Sequence, residues 1–316
     1  MNTAINKQKY ILLNGIEQFI SVNGTDISKP LIIFLHGGPG AGYGTRAYTF
    51  EKWFEHFNVV FWDQPGAGRT AIKNPNTVPT FDFIINSLKE LILYLKKEYS
   101  KEKIGILGRS WGTVPGIYYA KHFPEDILFY CGTGQIVNTQ EDEHVAYTEM
   151  KKRLIETDNM DGLQKLSMLG EDYPGTDILN IRGKLDAFHQ YLEDYGMFFE
   201  KTGITKKEEL INSPIYIPED LTIQKKVSAN QDEIFKFLGQ FNAYNYSLNY
   251  EIPFFQILGE EDWVVPIQQQ IKFYDQVTAP KKDITVISDA GHKVMTDQPE
   301  KFLNALVKYV QSVINP

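Results

Sequence analysis

A serine flanked by glycines, Gly108-Arg109-Ser110-Trp111-Gly112, stands between an apolar run, Lys103 to Leu107, and a helix-like run from Thr113 to His122. A hydroxyl on a sharp turn between a buried strand and a helix projects clear of the sheet, where a base reaches it from one side and a substrate carbonyl from the other. Near neutral pH that hydroxyl is a weak nucleophile. It needs a base, and the base needs an acid to fix its tautomer and stabilise its positive charge. Of His36, His56, His122, His144, His189 and His292, only His292 lies beyond the late strand-like runs, closing Asp289-Ala290-Gly291-His292. The acid is sought in Gly259-Glu260-Glu261-Asp262-Trp263, directly after an apolar run. Asp262 is the preferred carboxylate, because the two residues before it let the loop turn back towards the serine, while Glu260 and Glu261 read as solvated loop charges. The chemistry that results is acyl transfer, with Ser110 as nucleophile, His292 as base and Asp262 as acid.

The tetrahedral intermediate of acyl transfer also needs donors for its oxyanion, each worth roughly 3–4 kcal/mol. The backbone N–H of Trp111 is one. A second is expected from His36-Gly37-Gly38-Pro39-Gly40, with Gly38 presenting its N–H, because glycine lets backbone approach a substrate without an intervening side chain.

The elements that must position these residues follow a parallel-sheet rhythm. Tyr10 to Leu13 and Ile16 to Val22 flank Asn14-Gly15 and predict an antiparallel hairpin. Leu31 to Leu35 and Val59 to Trp62 are unbroken apolar runs, as expected of strands covered on both faces, and each ends in a glycine loop. A helix is expected around Arg46 to His56, and another over Phe81 to Tyr99, where Ile84, Ile85, Leu88, Leu91, Ile92 and Leu95 fall at helical spacing. The strand leading to Ser110, the helix behind it and a strand through Cys131 complete three crossover units. From about Ile136 the rhythm stops, and Gln140 to Leu154, Ile178 to Phe199 and Lys206 to Leu210 read as helices. It resumes at Pro253 to Gly259, with a helix near Ile267 to Gln276, a strand over Ile284 to Ile287 and a closing helix from Pro299 to Val313. The expected organisation is a core of residues 1–136 and 251–316, split by a helical cap of residues 137–250.

Composition narrows the function classes. A net charge of −8, with no Lys/Arg block longer than the three residues Lys151 to Arg153, argues against nucleic acid and anionic membrane surfaces as partners. Cys131 is the only cysteine, which excludes an intrachain disulfide and a cysteine metal cage, and its apolar surroundings read as core. No metal or cofactor is expected. The first residues carry no secretory pattern and no run is long enough to span a bilayer, so the cytoplasm is the expected location. A dinucleotide fingerprint at Gly42-Tyr43-Gly44-Thr45-Arg46-Ala47 fits poorly, since it does not start at the strand end and Pro39 removes an N–H.

His36 to Gly40, Asp63-Gln64-Pro65-Gly66-Ala67-Gly68-Arg69 and Gly108 to Gly112, in this order, resemble the proline iminopeptidase family of α/β-hydrolases, with Gly259 to Asp262 and Gly291-His292 at its acid and base positions. The resemblance implies an α/β-hydrolase fold: a mostly parallel sheet with helices on both faces and an inserted helical cap. It also implies Ser110, Asp262 and His292 as the triad, in the order usual for that fold, with Gly38 and Trp111 as the oxyanion hole. Two departures concern the substrate. Pro65 stands where the family has arginine, and Trp53, Trp62, Trp111 and Trp263 all lie outside the cap, where the family places tryptophan and glutamate to hold proline and its free amine. Glu141, Glu143, Glu200, Tyr191, Tyr195, Phe198 and Phe199 lie in the cap without an assigned role. The expected partner is a small molecule or short peptide. Aminopeptidase and carboxylesterase stand open, with a non-catalytic small-ligand receptor as the rival of another class.

Overall fold

The computed structural model describes residues 4–40, 42, 44–177, 180–197 and 228–315. Eight strands form one sheet, β1 (Ile5–Leu13), β2 (Ile16–Gly24), β3 (Leu31–Leu35), β4 (Asn58–Trp62), β5 (Ile104–Arg109), β6 (Ile127–Thr133), β7 (Phe254–Gly259) and β8 (Lys282–Ile287), in the order β1-β2-β4-β3-β5-β6-β7-β8. β1 and β2 form the antiparallel hairpin predicted around Asn14-Gly15, and β2 meets β4 antiparallel. Every later pairing is parallel.

The unbroken apolar runs have a direct physical cause. Alternate residues of β3 enter different cores, Ile33 and Leu35 on one face of the sheet and Ile32 and Phe34 on the other. A strand covered on both faces has no solvent side and therefore no polar alternation.

Ten helices are introduced in chain order among the described residues: α1 (Gly68–Lys73), α2 (Phe81–Glu98), α3 (Thr113–His122), α4 (Thr139–Glu156), α5 (Met160–Ser167), α6 (Ile181–Asp194), α7 (Asp232–Gly239), α8 (Ile267–Gln276), α9 (Val294–Asp297) and α10 (Pro299–Ile314). α2 starts where the Thr80 side chain accepts a hydrogen bond from Phe83 N–H and ends in Lys96 and Lys97, a charge arrangement that suits the helix dipole. Its apolar stripe joins the same core as Val114 and Ile117 of α3. On the opposite face, Phe302, Leu306 and Tyr309 of α10 pack with Phe129 and Phe255. The helix expected around Arg46 to His56 is a 3-10 helix, Gly44–Glu55, seated by Phe50 and Trp53 against Phe61 and Phe302.

Between β6 and β7 the regular elements among the described residues are helices. α4 and α6 share an apolar cluster that includes Tyr147, Met150, Leu154, Leu185, Phe188 and Leu192. α6 is shorter than the expected Ile178 to Phe199, and residues 178, 179, 198 and 199 lie outside the described set, as do Lys206 to Leu210. α5 and α7 have no counterpart in the sequence reading. α7 leans on the sheet-side core through Ile234 and Leu238, and Phe237 stacks on Phe81 of α2 at 4.0 Å. No helix among the described residues is long and apolar enough to cross a membrane.

Candidate active site

Parallel strands end on one edge, and every chemically interesting residue follows such an end. Ser110 follows β5, Asp262 follows β7 and His292 follows β8, the edge at which open parallel sheets place ligands. Ser110 adopts φ +51°, a left-handed conformation uncommon for a residue with a side chain and a mark of local strain held by the surrounding structure. The turn is tight enough to require both flanking glycines. A Cβ on Gly108 would lie 2.7 Å from the Gly112 carbonyl oxygen, and one on Gly112 would lie 2.0 Å from that of Leu35. The pentapeptide is therefore a sharp elbow that holds the half-buried Ser110 at the floor of a cavity.

Asp262 and His292 are brought together. His292 Nδ1 lies 3.0 Å from Asp262 Oδ2 and 3.1 Å from Oδ1, with both residues buried. Asp262 Oδ1 also accepts the N–H groups of Val264 and Val265, at 3.1 and 3.0 Å, and Oδ2 accepts from Gln270 Nε2 at 3.2 Å. A carboxylate held by two backbone donors, an amide and an imidazole has one orientation. Glu260 and Glu261 are exposed, as the sequence reading expects.

The glycine loop after β3 is tied to the elbow through Gln64. Gln64 N–H donates to His36 Nε2 at 3.3 Å, its Nε2 donates to the His36 carbonyl at 3.3 Å, and its Oε1 accepts from Trp111 Nε1 at 3.0 Å. Burial, reinforced by the nearby Arg109 charge, pushes the His36 imidazole down to about 4. A neutral ring fits its bonds, since Nε2 accepts and Nδ1 lies 2.8 Å from the Gly37 carbonyl. Gly38 and Ser110 line the same cavity, and Trp111 is fully buried beside it.

That cavity has a volume of about 190 Å³. Its apolar wall includes Ile136, Leu185, Phe235, Leu238 and Val265, and facing it are Asp142, Glu143, Asp186 and His189 from the helical segment. Glu143 is buried and engaged, accepting from Tyr173 Oη at 2.6 Å and lying 2.9 Å from His189 Nε2. Burial opposes a charge on His189, but the charge and hydrogen bond of Glu143, with the charges of Asp186 and Asp262, together hold the imidazole above its ordinary value. Asp142 is different. Its Oδ2 accepts the N–H groups of Val137 and Asn138 at 3.0 and 3.1 Å, whereas its Oδ1 is buried with no hydrogen-bond partner among the described residues.

Other residues named from sequence lie elsewhere. Glu141 pairs with Lys272 at the surface at 3.0 Å, and Tyr191 and Tyr195 pack against the cluster shared by α4 and α6. Glu200, Phe198 and Phe199 lie outside the described residues. Cys131 is buried in the core, where desolvation pushes its thiol up and away from reactivity. No cluster of metal-ligating side chains occurs among the described residues. Sequence reasoning missed Asp142, His189 and Gln270; their roles arise from contacts with residues distant in the chain, and no local spacing announces them.

Comparison with known proteins places the fold. A family model described as the alpha/beta hydrolase fold matches residues 30–153. A probable aminopeptidase of Bacillus subtilis is 25% identical over 96% of this chain and 96% of its own length. A proline iminopeptidase of Saccharolobus solfataricus is 21% identical over 97% of this chain and 93% of its own. The crystal structure of a proline iminopeptidase from Mycobacterium smegmatis superposes with a TM-score of 0.70 at 17% identity, covering 97% of this chain and 98% of that one. The chain therefore has the α/β-hydrolase fold, and its sequence resembles proline iminopeptidases and a probable aminopeptidase along nearly its whole length.

Proposed function

We propose that this protein is a serine hydrolase that releases one small residue from the free N-terminus of a peptide through an acyl-enzyme. In this reading residues 137–250 form a cap over the strand ends. Ser110 attacks the carbonyl carbon, and His292, whose Nδ1 is committed to Asp262, takes the hydroxyl proton on Nε2. The negative charge that develops on the carbonyl oxygen is met by the N–H groups of Gly38 and Trp111. His292 then returns the proton to the leaving amine, and water repeats the cycle on the ester to free the acid.

The observation that carries the aminopeptidase reading over the esterase one is Asp142, a buried carboxylate among the residues lining the cavity that Ser110 lines, whose Oδ1 has no hydrogen-bond partner among the described residues. A buried oxygen without a partner carries a desolvation cost, and an ammonium group placed there removes it. The cavity's size agrees with one residue. An apolar cavity of about 150 Å³ admits benzene, and about 190 Å³ accommodates one small side chain with its amine but not a long acyl chain.

Burial pushes the Asp142 carboxyl up to about 8, helped by Glu143 and Glu141 and opposed by the Val137 and Asn138 N–H groups. Binding an ammonium requires the ionised form, so below that value binding must release a proton. KM for free-amine substrates is predicted to fall as pH rises from 6 to 8, and to climb again as the substrate amine loses its own proton above about 8. Asp142→Asn is predicted to raise KM for aminoacyl arylamides about 10- to 100-fold, the size of one charge-assisted hydrogen bond, and to remove that fall between pH 6 and 8. KM for short-chain p-nitrophenyl esters should change less than threefold. Turnover of esters but of no free-amine amide would establish the carboxylesterase alternative instead, and turnover of neither would leave the non-catalytic receptor.

A further inference from the structure

We infer that Gln270, together with the turn Gly134-Gln135, forms a brace that positions Asp262 and His292, so that Gln270 is a positioning residue for the reaction without touching the substrate. The inference rests on the triad reading above and adds a residue to it.

Gln270 lies in the first turns of α8, fully buried, at a helix position where an apolar side chain would fill the space without needing partners. Both ends of its amide are satisfied. Nε2 donates to Asp262 Oδ2 at 3.2 Å and to the Val265 carbonyl at 2.7 Å, while Oε1 accepts the Gln135 N–H at 2.7 Å. These partners fix the amide's orientation: turned over, its oxygen would face a carboxylate and a carbonyl and its NH2 would face an N–H, so all three bonds would be lost.

The turn that Gln270 grips is the one lying against the base. Gly134, at φ +58°, comes so close to the imidazole that a Cβ there would sit 2.7 Å from His292 Cε1 and 3.0 Å from Nδ1. Gln135 is itself anchored, donating through Nε2 to the Ile136 carbonyl at 2.9 Å and accepting from Tyr130 Oη at 2.7 Å. Contacts thus close a ring: Gln270 to Asp262, Asp262 to His292, His292 to Gly134, and Gln135 back to Gln270. Displacing any member rotates the acid and base relative to each other. Gln270 does not line the substrate cavity, so its loss should be felt in the chemical step and not in binding.

Two near-isosteric variants separate this role from simple packing. Gln270→Glu keeps an acceptor for the Gln135 N–H but turns an oxygen towards Asp262, and Gln270→Met keeps the volume and deletes every bond. Both are predicted to lower kcat, and the rate of covalent labelling by a fluorophosphonate probe, about 10- to 100-fold, the loss expected for a hydrogen bond to a charged group. KM should stay within threefold and circular dichroism should remain that of the folded protein. Gly134→Ala, which presses on the imidazole from the other side, should give the same pattern and decides the matter if both Gln270 variants unfold. Folded variants with kcat and labelling within twofold of the parent, or a raised KM with unchanged kcat, would overturn the inference. Ser110→Ala is run alongside: if it still labels, the triad reading itself has failed, whereas an inert Ser110→Ala beside fully active Gln270 variants removes only the brace.

Discussion

At His36 one buried ring sets an acid limit on stability. The unfolded chain takes up a proton near the ordinary histidine value, whereas the folded chain resists protonation down to about 4 because the ring is desolvated and Arg109 is near. Between those two values the unfolded state binds the extra proton, so the stability present above pH 6.5 is lost progressively as pH falls towards 4. His36→Asn is predicted to make the thermal midpoint less dependent on pH over that window, although losing the bonds with Gln64 lowers it overall. Equal pH slopes for the two proteins, measured by circular dichroism, would show that His36 is protonated in the fold. Asp142 makes a related point about legibility at this scale. Neighbouring carboxylates at a helix start read as a solvated face, yet the structure buries Asp142 against its own preceding backbone and Glu143 against Tyr173 and His189. Tyr173 and His189 lie far from Glu143 in the chain, and a local pattern does not contain them.

Strands, by contrast, were legible because burial on both faces is written locally. Leu31 to Leu35 became β3 and Phe254 to Gly259 became β7, both buried along their whole length. The elbow was equally plain. Gly108 is required by the elbow's own backbone and Gly112 by contact with β3, and Gly112→Ala would press a methyl group onto the Leu35 backbone at 2.0 Å. Overpacking of this kind costs about 1–3 kcal/mol or more. We expect the thermal midpoint of Gly112→Ala to fall by several degrees and turnover to fall with it, since the elbow and the glycine loop move together. An unchanged midpoint with full activity would show that the elbow tolerates a side chain. Shorter elements were less legible. α5 buries only Gly162 and Leu166, too few positions to display a helical period, and α7 spans eight residues whose apolar face is explained by α2, a helix from another part of the chain.

For the molecule as a whole, the proposed function gives the sheet edge the chemistry and the helical segment the selection. The edge was legible because each of its residues follows a strand end, and strand ends are visible as apolar runs stopping at glycine-rich loops. The segment above it was not, because helices packing on helices share one apolar stripe whatever they select. Of its specific features, the Glu143–His189 pair emerges only once α4 and α6 face each other, and the buried Asp142 only once the chain before α4 folds back on it. Everything proposed rests on Ser110 at the elbow acting as the nucleophile activated by His292 and Asp262. Its most direct test is covalent labelling by a fluorophosphonate probe, followed by mass spectrometry of the labelled peptide. We predict one adduct per chain, on Ser110, absent in Ser110→Ala, with peptide and ester turnover falling together by several orders of magnitude. An adduct on another residue, or labelling and turnover that survive Ser110→Ala, would contradict it.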